Sequence, residues 1–131
     1  MSNYNSSYLK GWGAMYPPEE LIRFVNFIPK YSNLNIQKSD VVDLGCGIGG
    51  CSWFLANNFR HILAIDNSIE ALKKVPKVMS YFNINKKKIT TRLMDFKNFQ
   101  LDKNYNFIID NRSLYNQSFS EFLKSFKYLK S

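Results

Sequence analysis

The feature that most constrains the fold is a short apolar run that ends in closely spaced glycines. Residues 41–50 read Val-Val-Asp-Leu-Gly-Cys-Gly-Ile-Gly-Gly, so the apolar positions stop where Gly45, Gly47 and Gly49 follow at alternate places. This pattern is typical of a buried strand that turns sharply into a helix and leaves its backbone open to a ligand. A nucleotide-like cofactor is the natural occupant of such a turn.

A second apolar run lies one helix further along the chain and ends in an acid. Residues 61–66 end at Asp66, the spacing at which a second parallel strand brings a carboxylate to the hydroxyls of a ribose. One strand-helix-strand unit explains both runs. Asp66 could also cap the next helix, because residues 67–70, Asn-Ser-Ile-Glu, have the character of a capping box. The two roles are compatible on neighbouring residues.

The acid two residues before the first glycine separates two classes of cofactor. Gly45, Gly47 and Gly50 also satisfy the G-x-G-x-x-G spacing of dinucleotide-binding proteins. Asp43, however, lies at the tip of the strand, where it would repel a pyrophosphate on the helix N-terminus. A ligand that carries a sulfonium and an ammonium group would be attracted instead. A nicotinamide-dependent oxidoreductase is therefore the less favoured alternative.

Residues 41–49 resemble motif I of class I S-adenosylmethionine-dependent methyltransferases, and Ala64-Ile65-Asp66 looks like their second motif. The resemblance implies a Rossmann-like α/β fold, a doubly wound parallel sheet, that binds S-adenosyl-L-methionine. It places Asp43 near the methionine amino group, the glycines under the cofactor backbone and Asp66 on the ribose hydroxyls. The full set of cofactor-binding residues that it implies is Asp43, Gly45, Cys46, Gly47, Gly49, Asp66, Asn67, Met94, Asp95 and Asp110.

Two later apolar runs resemble the third and fourth strands of the same family. Residues 89–96 lead into an acid, which gives Met94 and Asp95 as adenine contacts. A plain loop aspartate is the alternative for Asp95. Residues 105–110 end in Asp110, which would lie beside the departing methyl group. Acids at three strand ends agree with one site.

The loop after Asp110 carries the indication about the methyl acceptor. Families that methylate amide, adenine or cytosine nitrogens often have an Asn/Asp-Pro-Pro-aromatic motif here, whereas this chain reads Asp-Asn-Arg-Ser at 110–113. The loop resembles that of sugar or other small-molecule O-methyltransferases. Asp110 would then orient or deprotonate a hydroxyl, and Arg112 would hold an anionic substrate group. Alternatively, Asp110 only holds the loop by accepting backbone hydrogen bonds.

The sequence of the N-terminal segment, residues 1–30, predicts an amphipathic helix and a lid. Pro17-Pro18-Glu19-Glu20 begins a helix that runs to about Ile28 and that Pro29 should stop. Its predicted buried face consists of Leu21, Ile22, Phe24, Val25 and Ile28. The aromatic residues of the segment resemble those that fold over the cofactor in some small-molecule methyltransferases, although they could equally pack the helix against the sheet; they are Tyr4, Tyr8, Trp12 and Tyr16.

The remaining helices complete an alternating pattern. The first crossover helix spans residues 51–58, and the second begins near Ser68 and should end or kink at Pro76. A last helix follows the capping box at 118–121. Helices between short apolar runs favour a parallel, doubly wound sheet.

A length of 131 residues predicts one domain, with a lid and helix segment at 1–30 and a cofactor-binding core at 40–131. The family's sheet has seven strands, so we expect an incomplete methyltransferase domain, truncated after the fourth strand and its following helix. A fragment, a natural truncation or half of a split protein would all fit, and a second chain would then supply the missing strands. Cofactor binding is expected of such a chain; its activity is left open, and a non-catalytic cofactor-binding subunit is the alternative.

Composition excludes several other classes. The net charge of +8 comes mostly from scattered lysines, with Lys86-Lys87-Lys88 as the one cluster, so nucleic acid is not favoured as a partner. Cys46 and Cys51 lack the spacing of a zinc or redox site, and no metal is expected. His61 begins the second strand, away from the ligand-binding edge, so a structural or solvent-facing role is predicted. No apolar run reaches membrane-spanning length, and a cytoplasmic protein is expected.

Overall fold

The computed structural model describes residues 5, 9–11, 13–95 and 100–110. Arg112, the aromatic residues Tyr4, Tyr8 and Trp12, and the last predicted helix lie outside the described residues. Within them, the elements in chain order are α1 (Glu19–Tyr31), β1 (Asp40–Leu44), α2 (Ser52–Asn58), β2 (His61–Asp66), α3 (Ile69–Tyr81), β3 (Ile89–Leu93) and β4 (Phe107–Asp110), with short 3-10 turns at Ile36–Lys38 and Lys86–Lys88.

The described strands form one parallel sheet in the order β3-β2-β1-β4, which confirms the predicted Rossmann-like α/β class. The chain moves outward from β1 through β2 to β3 and then returns to place β4 on the other side of β1. This reversal creates a switch point between β1 and β4, where open α/β sheets bind ligands. In the register, Leu44 lies opposite Ile65 on one side and opposite Asp110 on the other.

Alternate residues of the central strands enter two apolar clusters, one on each face of the sheet. Val41 and Ile62 join the cluster that also contains the buried side chains of α1, α2 and α3. Val42 and Leu63 join the other cluster, against which Met94 and residues of the β3–β4 connection pack. All five residues of β1 are buried, as expected for a parallel strand covered on both faces.

Helix α1 is longer than predicted, because Pro29 lies inside it and the helix ends at Tyr31. A proline in the last turn removes only one backbone hydrogen bond, and the main-chain N–H and the hydroxyl of Ser32 both donate to the carbonyl of Ile28. The proline that was expected to stop the helix is therefore tolerated.

The buried face of α1 is narrower than predicted. Leu21, Val25 and Ile28 are buried, whereas Ile22 and Phe24 are 36% and 44% exposed. The buried positions recur at spacings of three and four residues, so they share one side of the helix. Ile22 and Phe24 lie off that stripe, because the core cluster that Leu21, Val25 and Ile28 join covers only one side of α1.

Helix α3 also continues through a proline. It runs from Ile69 to Tyr81 with Pro76 inside, so of the two predicted outcomes, an end or a kink at Pro76, the helix does not end there. Val75 lies before Pro76 and Val78 after it, and both are buried against the sheet. Packing on both sides of the proline holds the helical path despite the missing N–H donor.

A buried carboxylate ties the amino edge of the sheet together. Asp40, at the start of β1, accepts two hydrogen bonds of 2.8 Å from the Arg60 guanidinium and one of 2.7 Å from the Lys103 ammonium. These bonds hold the pKa of the Asp40 carboxyl well below its usual range. The contact joins β1 to the turn before β2 and to the connection before β4.

Two further findings concern the expected second chain and the expected absence of a membrane span. In the part of the chain that the structure describes, β4 pairs with β1 alone, so its other side forms an edge of the sheet. No helix of the described residues is both long and apolar enough to cross a membrane.

Candidate functional site

Three acids lie together at the carboxyl edge of the sheet, as the parallel strands predict. Asp66 and Asp110 are the last residues of β2 and β4, and Asp43 lies between these strands, one residue before the end of β1. The negative charges of Asp66 and Asp110 both raise the pKa of Asp43. The three strand ends therefore form one electrostatically coupled site.

The turn after β1 has the backbone that its glycines were predicted to provide. Gly45, Gly47 and Gly49 have φ values of 73°, 56° and 100°, a left-handed region that other residues rarely adopt. The N–H groups of Gly45 and Cys46 both donate to the carbonyl of Ile65, at 2.8 and 2.9 Å. The end of β2 thus fixes the turn beside the acids.

Asp43 is buried with one carboxylate oxygen left without a partner. Its side chain is 1% exposed, and Oδ2 accepts a 2.6 Å hydrogen bond from the hydroxyl of Ser52. Oδ1 is fully buried and has no hydrogen-bond partner among the described residues. Burial raises the pKa of Asp43 to about 6, although the Ser52 hydroxyl lowers it. A buried acceptor in this state fits a ligand that brings a cationic donor.

Asp66 is used differently. Its Oδ2 accepts from the N–H of Gly47 and its Oδ1 from the N–H of Ser68, both at 2.9 Å. Burial raises its pKa, which these backbone bonds partly offset. Ser68 itself caps α3, because its hydroxyl accepts from the N–H of Ala71. Asp66 therefore holds the glycine turn against the start of α3, and its contact with ribose hydroxyls stays a prediction.

The other predicted cofactor residues lie around the same edge. Cys46 is buried inside the glycine turn, and burial raises the pKa of its thiol, so it is neutral. Asn67 is exposed directly after β2. Met94 is half-buried and donates its N–H to the Asp66 carbonyl at 3.0 Å, with the exposed Asp95 next to it. These placements agree with the predicted roles but do not test them.

His61 lies at the opposite end of β2 from Asp66, about 17 Å away at the rise of a strand. Its Nε2 is 3.0 Å from the Thr90 hydroxyl, and burial lowers the pKa of the imidazole. This position agrees with the structural or solvent-facing role that was predicted.

The sequence did not identify Ser52 as a residue of the site. It is the first residue of α2, it has no exposed surface, and its hydroxyl is bound to Asp43. The signal that could have revealed it is positional. A small hydroxyl residue begins the helix that follows the glycine turn, and the first turn of that helix lies beside Asp43 of β1.

Residues 13–16, which we call the N-terminal strap, lie against the glycine turn. A Cβ atom at Gly50 would overlap the carbonyl oxygen of Ala14, so only glycine allows this approach of the two backbones. The indole N–H of Trp53 donates to the carbonyl of Met15 at 2.7 Å. Gly50 therefore has a packing role in addition to its place in the glycine pattern.

An aromatic cluster holds the end of the strap. The ring of Tyr16 meets Trp53 and Phe82 edge-on, with centroids 6.4 and 5.6 Å apart. Trp53 and Phe82 are stacked at 4.0 Å. Tyr16 is nevertheless 63% exposed. Its ring packs the strap against Trp53 of α2 and against Phe82 at the end of α3. The other predicted lid residues, Tyr4, Tyr8 and Trp12, lie outside the described residues.

Comparison with known proteins identifies a matching family and a shared fold. The family model for the tellurite resistance protein TehB matches residues 30–124. A search of curated protein sequences found no significant match.

Solved structures with the same fold include several methyltransferases. TehB from Haemophilus influenzae has a TM-score of 0.70 and 19% identity, covering 96% of this chain and 40% of its own. Magnesium protoporphyrin IX methyltransferase from Synechocystis PCC 6803, with bound SAM, has a TM-score of 0.70 and 20% identity, covering 85% and 49%. Phosphoethanolamine N-methyltransferase 1 from Haemonchus contortus, in complex with phosphoethanolamine and S-adenosylhomocysteine, has a TM-score of 0.65 and 22% identity, covering 74% and 20%.

These similarities confirm the Rossmann-like methyltransferase fold that the glycine motif predicted. The chain spans between a fifth and about half of the length of these three structures.

Proposed function

Because the chain belongs to the tellurite resistance protein TehB family, we propose that it binds S-adenosyl-L-methionine and serves methyl transfer to a small molecule. The observation that carries this proposal is the buried Oδ1 of Asp43 beside the glycine turn, which has no hydrogen-bond partner in the part of the chain that the structure describes. An ammonium group of the cofactor would satisfy this oxygen, whereas a phosphate would be repelled by it. The same site therefore disfavours a nicotinamide cofactor.

Different residues of the site would contact different parts of the cofactor. Asp43 would accept a hydrogen bond from the amino group of the methionine part, and Asp66 would meet the ribose hydroxyls with the remaining lone pairs of its oxygens. The positive-φ glycines leave room for the ligand to approach the backbone. Residues Met94 and Asp95, directly after β3, would border the adenine.

When bound, the cofactor would supply a sulfonium methyl group: a nucleophile would attack the methyl carbon in line, and the S–CH3 bond would break with S-adenosylhomocysteine as the leaving group. The protein then has to align the acceptor and exclude water, and it needs a base only where the nucleophile arrives protonated. We propose an oxygen acceptor, for which Asp110 would orient or deprotonate a hydroxyl and Arg112 would hold an anionic group. Support comes from the loop sequence at 110–113, which lacks the motif typical of nitrogen targets.

The direct test is calorimetric titration of the protein with S-adenosylhomocysteine and with NADH, side by side. We expect the first ligand alone to bind. Asp66→Ala should weaken its binding about tenfold or more, since a hydrogen bond to a charged group contributes about 1.5–3 kcal/mol. Glu20→Ala is the matched control, because it removes an exposed carboxylate on α1. Binding of NADH alone would refute the proposal.

A second candidate function is that of a cofactor-binding subunit without activity of its own. It is favoured by the edge of β4, which in the described residues pairs with β1 alone although Phe107 and Ile108 pack against opposite faces of the sheet. A strand of a second chain would pair there. Methylation of small hydroxyl compounds by the purified protein alone would contradict this alternative. A protein that elutes as a monomer in size-exclusion chromatography and unfolds cooperatively would also count against a partner chain.

A cytoplasmic location also stays a prediction of the sequence. It would be tested by fractionation of the source cells.

A further inference from the structure

We propose that Ser52 is a positioning residue, whose hydroxyl fixes the Asp43 carboxylate so that Oδ1 is left for the cationic group of the ligand. This inference rests on the proposed function and assigns part of its binding geometry to a residue outside the glycine motif. Ser52 would not touch the cofactor. It would act through the orientation and the charge of Asp43.

The contact between the two side chains is short and fully enclosed. Ser52 Oγ lies 2.6 Å from Asp43 Oδ2, and the residues are 0% and 1% exposed. A hydrogen bond from a hydroxyl to a carboxylate at this distance is charge-assisted and stronger than one between neutral groups. Because both side chains are buried, bulk water does not compete with the serine as a donor to Oδ2.

The two residues come from elements that the fold holds firmly. Asp43 is in β1, which is paired on both sides, and Ser52 begins α2, whose Leu55 is buried in the core beneath it. The torsion of a carboxylate group is broad and roughly two-fold, so packing alone selects between its oxygens only weakly. One hydrogen bond from a rigid helix is enough to engage Oδ2 and to leave Oδ1 unpartnered.

The hydroxyl also opposes the surroundings that would neutralise Asp43. Burial raises the pKa of Asp43, and so do the charges of Asp66 at the end of β2 and Asp110 at the end of β4. The neighbouring thiol of Cys46 is neutral and brings no positive charge. Among these groups, Ser52 lowers the pKa of Asp43. Its donor therefore keeps the charged form, which a cation needs, available near neutral pH.

The test compares Ser52→Ala with Ser39→Ala. Ser39 is also buried, and its hydroxyl donates to the Asn35 carbonyl at the amino edge of the sheet, so its loss removes one buried hydrogen bond away from the site. Calorimetric affinity for S-adenosylhomocysteine is measured from pH 5 to pH 9. We expect Ser52→Ala to weaken binding about tenfold at pH 7 and to move the midpoint of the pH profile upward by about one unit. Ser39→Ala should leave the midpoint in place.

A second readout needs no ligand. The carboxyl carbon shift of Asp43, followed by NMR against pH in the unliganded protein, should give a higher pKa in Ser52→Ala than in wild type. Ser52→Thr keeps the hydroxyl and should restore the wild-type value. A merely structural role of Ser52 would lower the melting temperature in Ser52→Ala without moving this titration.

The outcomes separate the two proposals. If wild type binds the ligand but Ser52→Ala keeps both the wild-type pH midpoint and the wild-type pKa of Asp43, the positioning role of Ser52 is refuted while the proposed function stands. If wild type binds no S-adenosyl ligand at any pH, the proposed function itself is refuted.

Discussion

The buried carboxyl group of Asp43, near the end of β1, should make the protein less stable at neutral pH than at acidic pH. Asp43→Asn removes the charge and keeps the shape, so the variant isolates the cost of holding a carboxylate in this place. In the folded protein the pKa of Asp43 is about 6, against an ordinary value of 3.8. The folded state therefore binds this proton more tightly than the unfolded state does.

The sign and size of the effect follow from this difference. Below about pH 3 the carboxyl is protonated in both states and contributes no pH dependence. Between the unfolded pKa of 3.8 and the folded pKa of about 6, the unfolded state has released its proton while the folded state still holds it, so the free energy of unfolding of the wild type falls as the pH rises and levels off above the folded pKa. Each pKa unit corresponds to about 1.4 kcal/mol, so the full effect approaches about 3 kcal/mol, of which about 2 develop between pH 4 and pH 8.

Urea unfolding of the wild type and of Asp43→Asn at several pH values measures this directly. The difference between their free energies of unfolding should grow in favour of the variant by about 2 kcal/mol from pH 4 to pH 8. Any cost of the amide itself does not depend on pH and cancels from the comparison. Glu20→Gln, an exposed carboxylate on α1, is the control and should give no such change. Parallel pH profiles for wild type and Asp43→Asn would refute the reasoning.

Three further variants test the surroundings of the site. Gly50→Ala should displace the strap or lower the melting temperature by several degrees, because its methyl group would overlap the Ala14 carbonyl. Arg60→Leu should lower the free energy of unfolding measured in urea, because it removes two bonds to the buried Asp40. Since the pKa of Asp40 is lowered by its partners, stability from this contact is present at neutral pH and lost as the pH falls, and Arg60→Leu should flatten that loss. Trp53→Phe should cost about 1 kcal/mol, because the indole donor to the strap is lost while the ring remains.

Each of these expectations has an outcome that contradicts it. An unchanged melting temperature and proteolysis pattern in Gly50→Ala would show that the strap does not rest on the glycine turn. An acid-unfolding curve of Arg60→Leu as steep as that of wild type would show that Asp40 is not held by Arg60. A Trp53→Phe variant as stable as wild type would show that the indole bond contributes nothing.

Local patterns in the sequence were sufficient to predict the core of the site. Gly45, Gly47 and Gly49 need positive φ, a requirement of the backbone itself that is readable wherever glycines follow an apolar strand. The parallel arrangement followed from the alternation of strands and helices, and it alone brings Asp43, Asp66 and the end of β4 to one edge. Period and spacing sufficed because each constraint acts over a few residues.

Prolines were misread because their effect depends on distant contacts. The sequence predicts that Pro29 stops a helix and that Pro76 ends or kinks one, since each proline removes a donor and crowds the preceding turn. In the fold both lie inside helices, because the buried face of α3 continues on both sides of Pro76 and because Pro29 falls in a last turn that Ser32 completes. For α3 the deciding energy comes from packing against the sheet, which no local rule contains.

The sequence by itself determined the class of fold, the place of the glycine turn and the three acids at one edge of the sheet. Only the tertiary structure decided how Asp43 and Asp66 are used. Asp43 is buried against the hydroxyl of Ser52, and its other oxygen has no partner among the residues that the structure describes, whereas both oxygens of Asp66 accept from backbone N–H groups. The physical reason is that the partners of a buried carboxylate come from elements distant in the chain. Burial, donors and neighbouring charges, which set its pKa, exist only once those elements are packed.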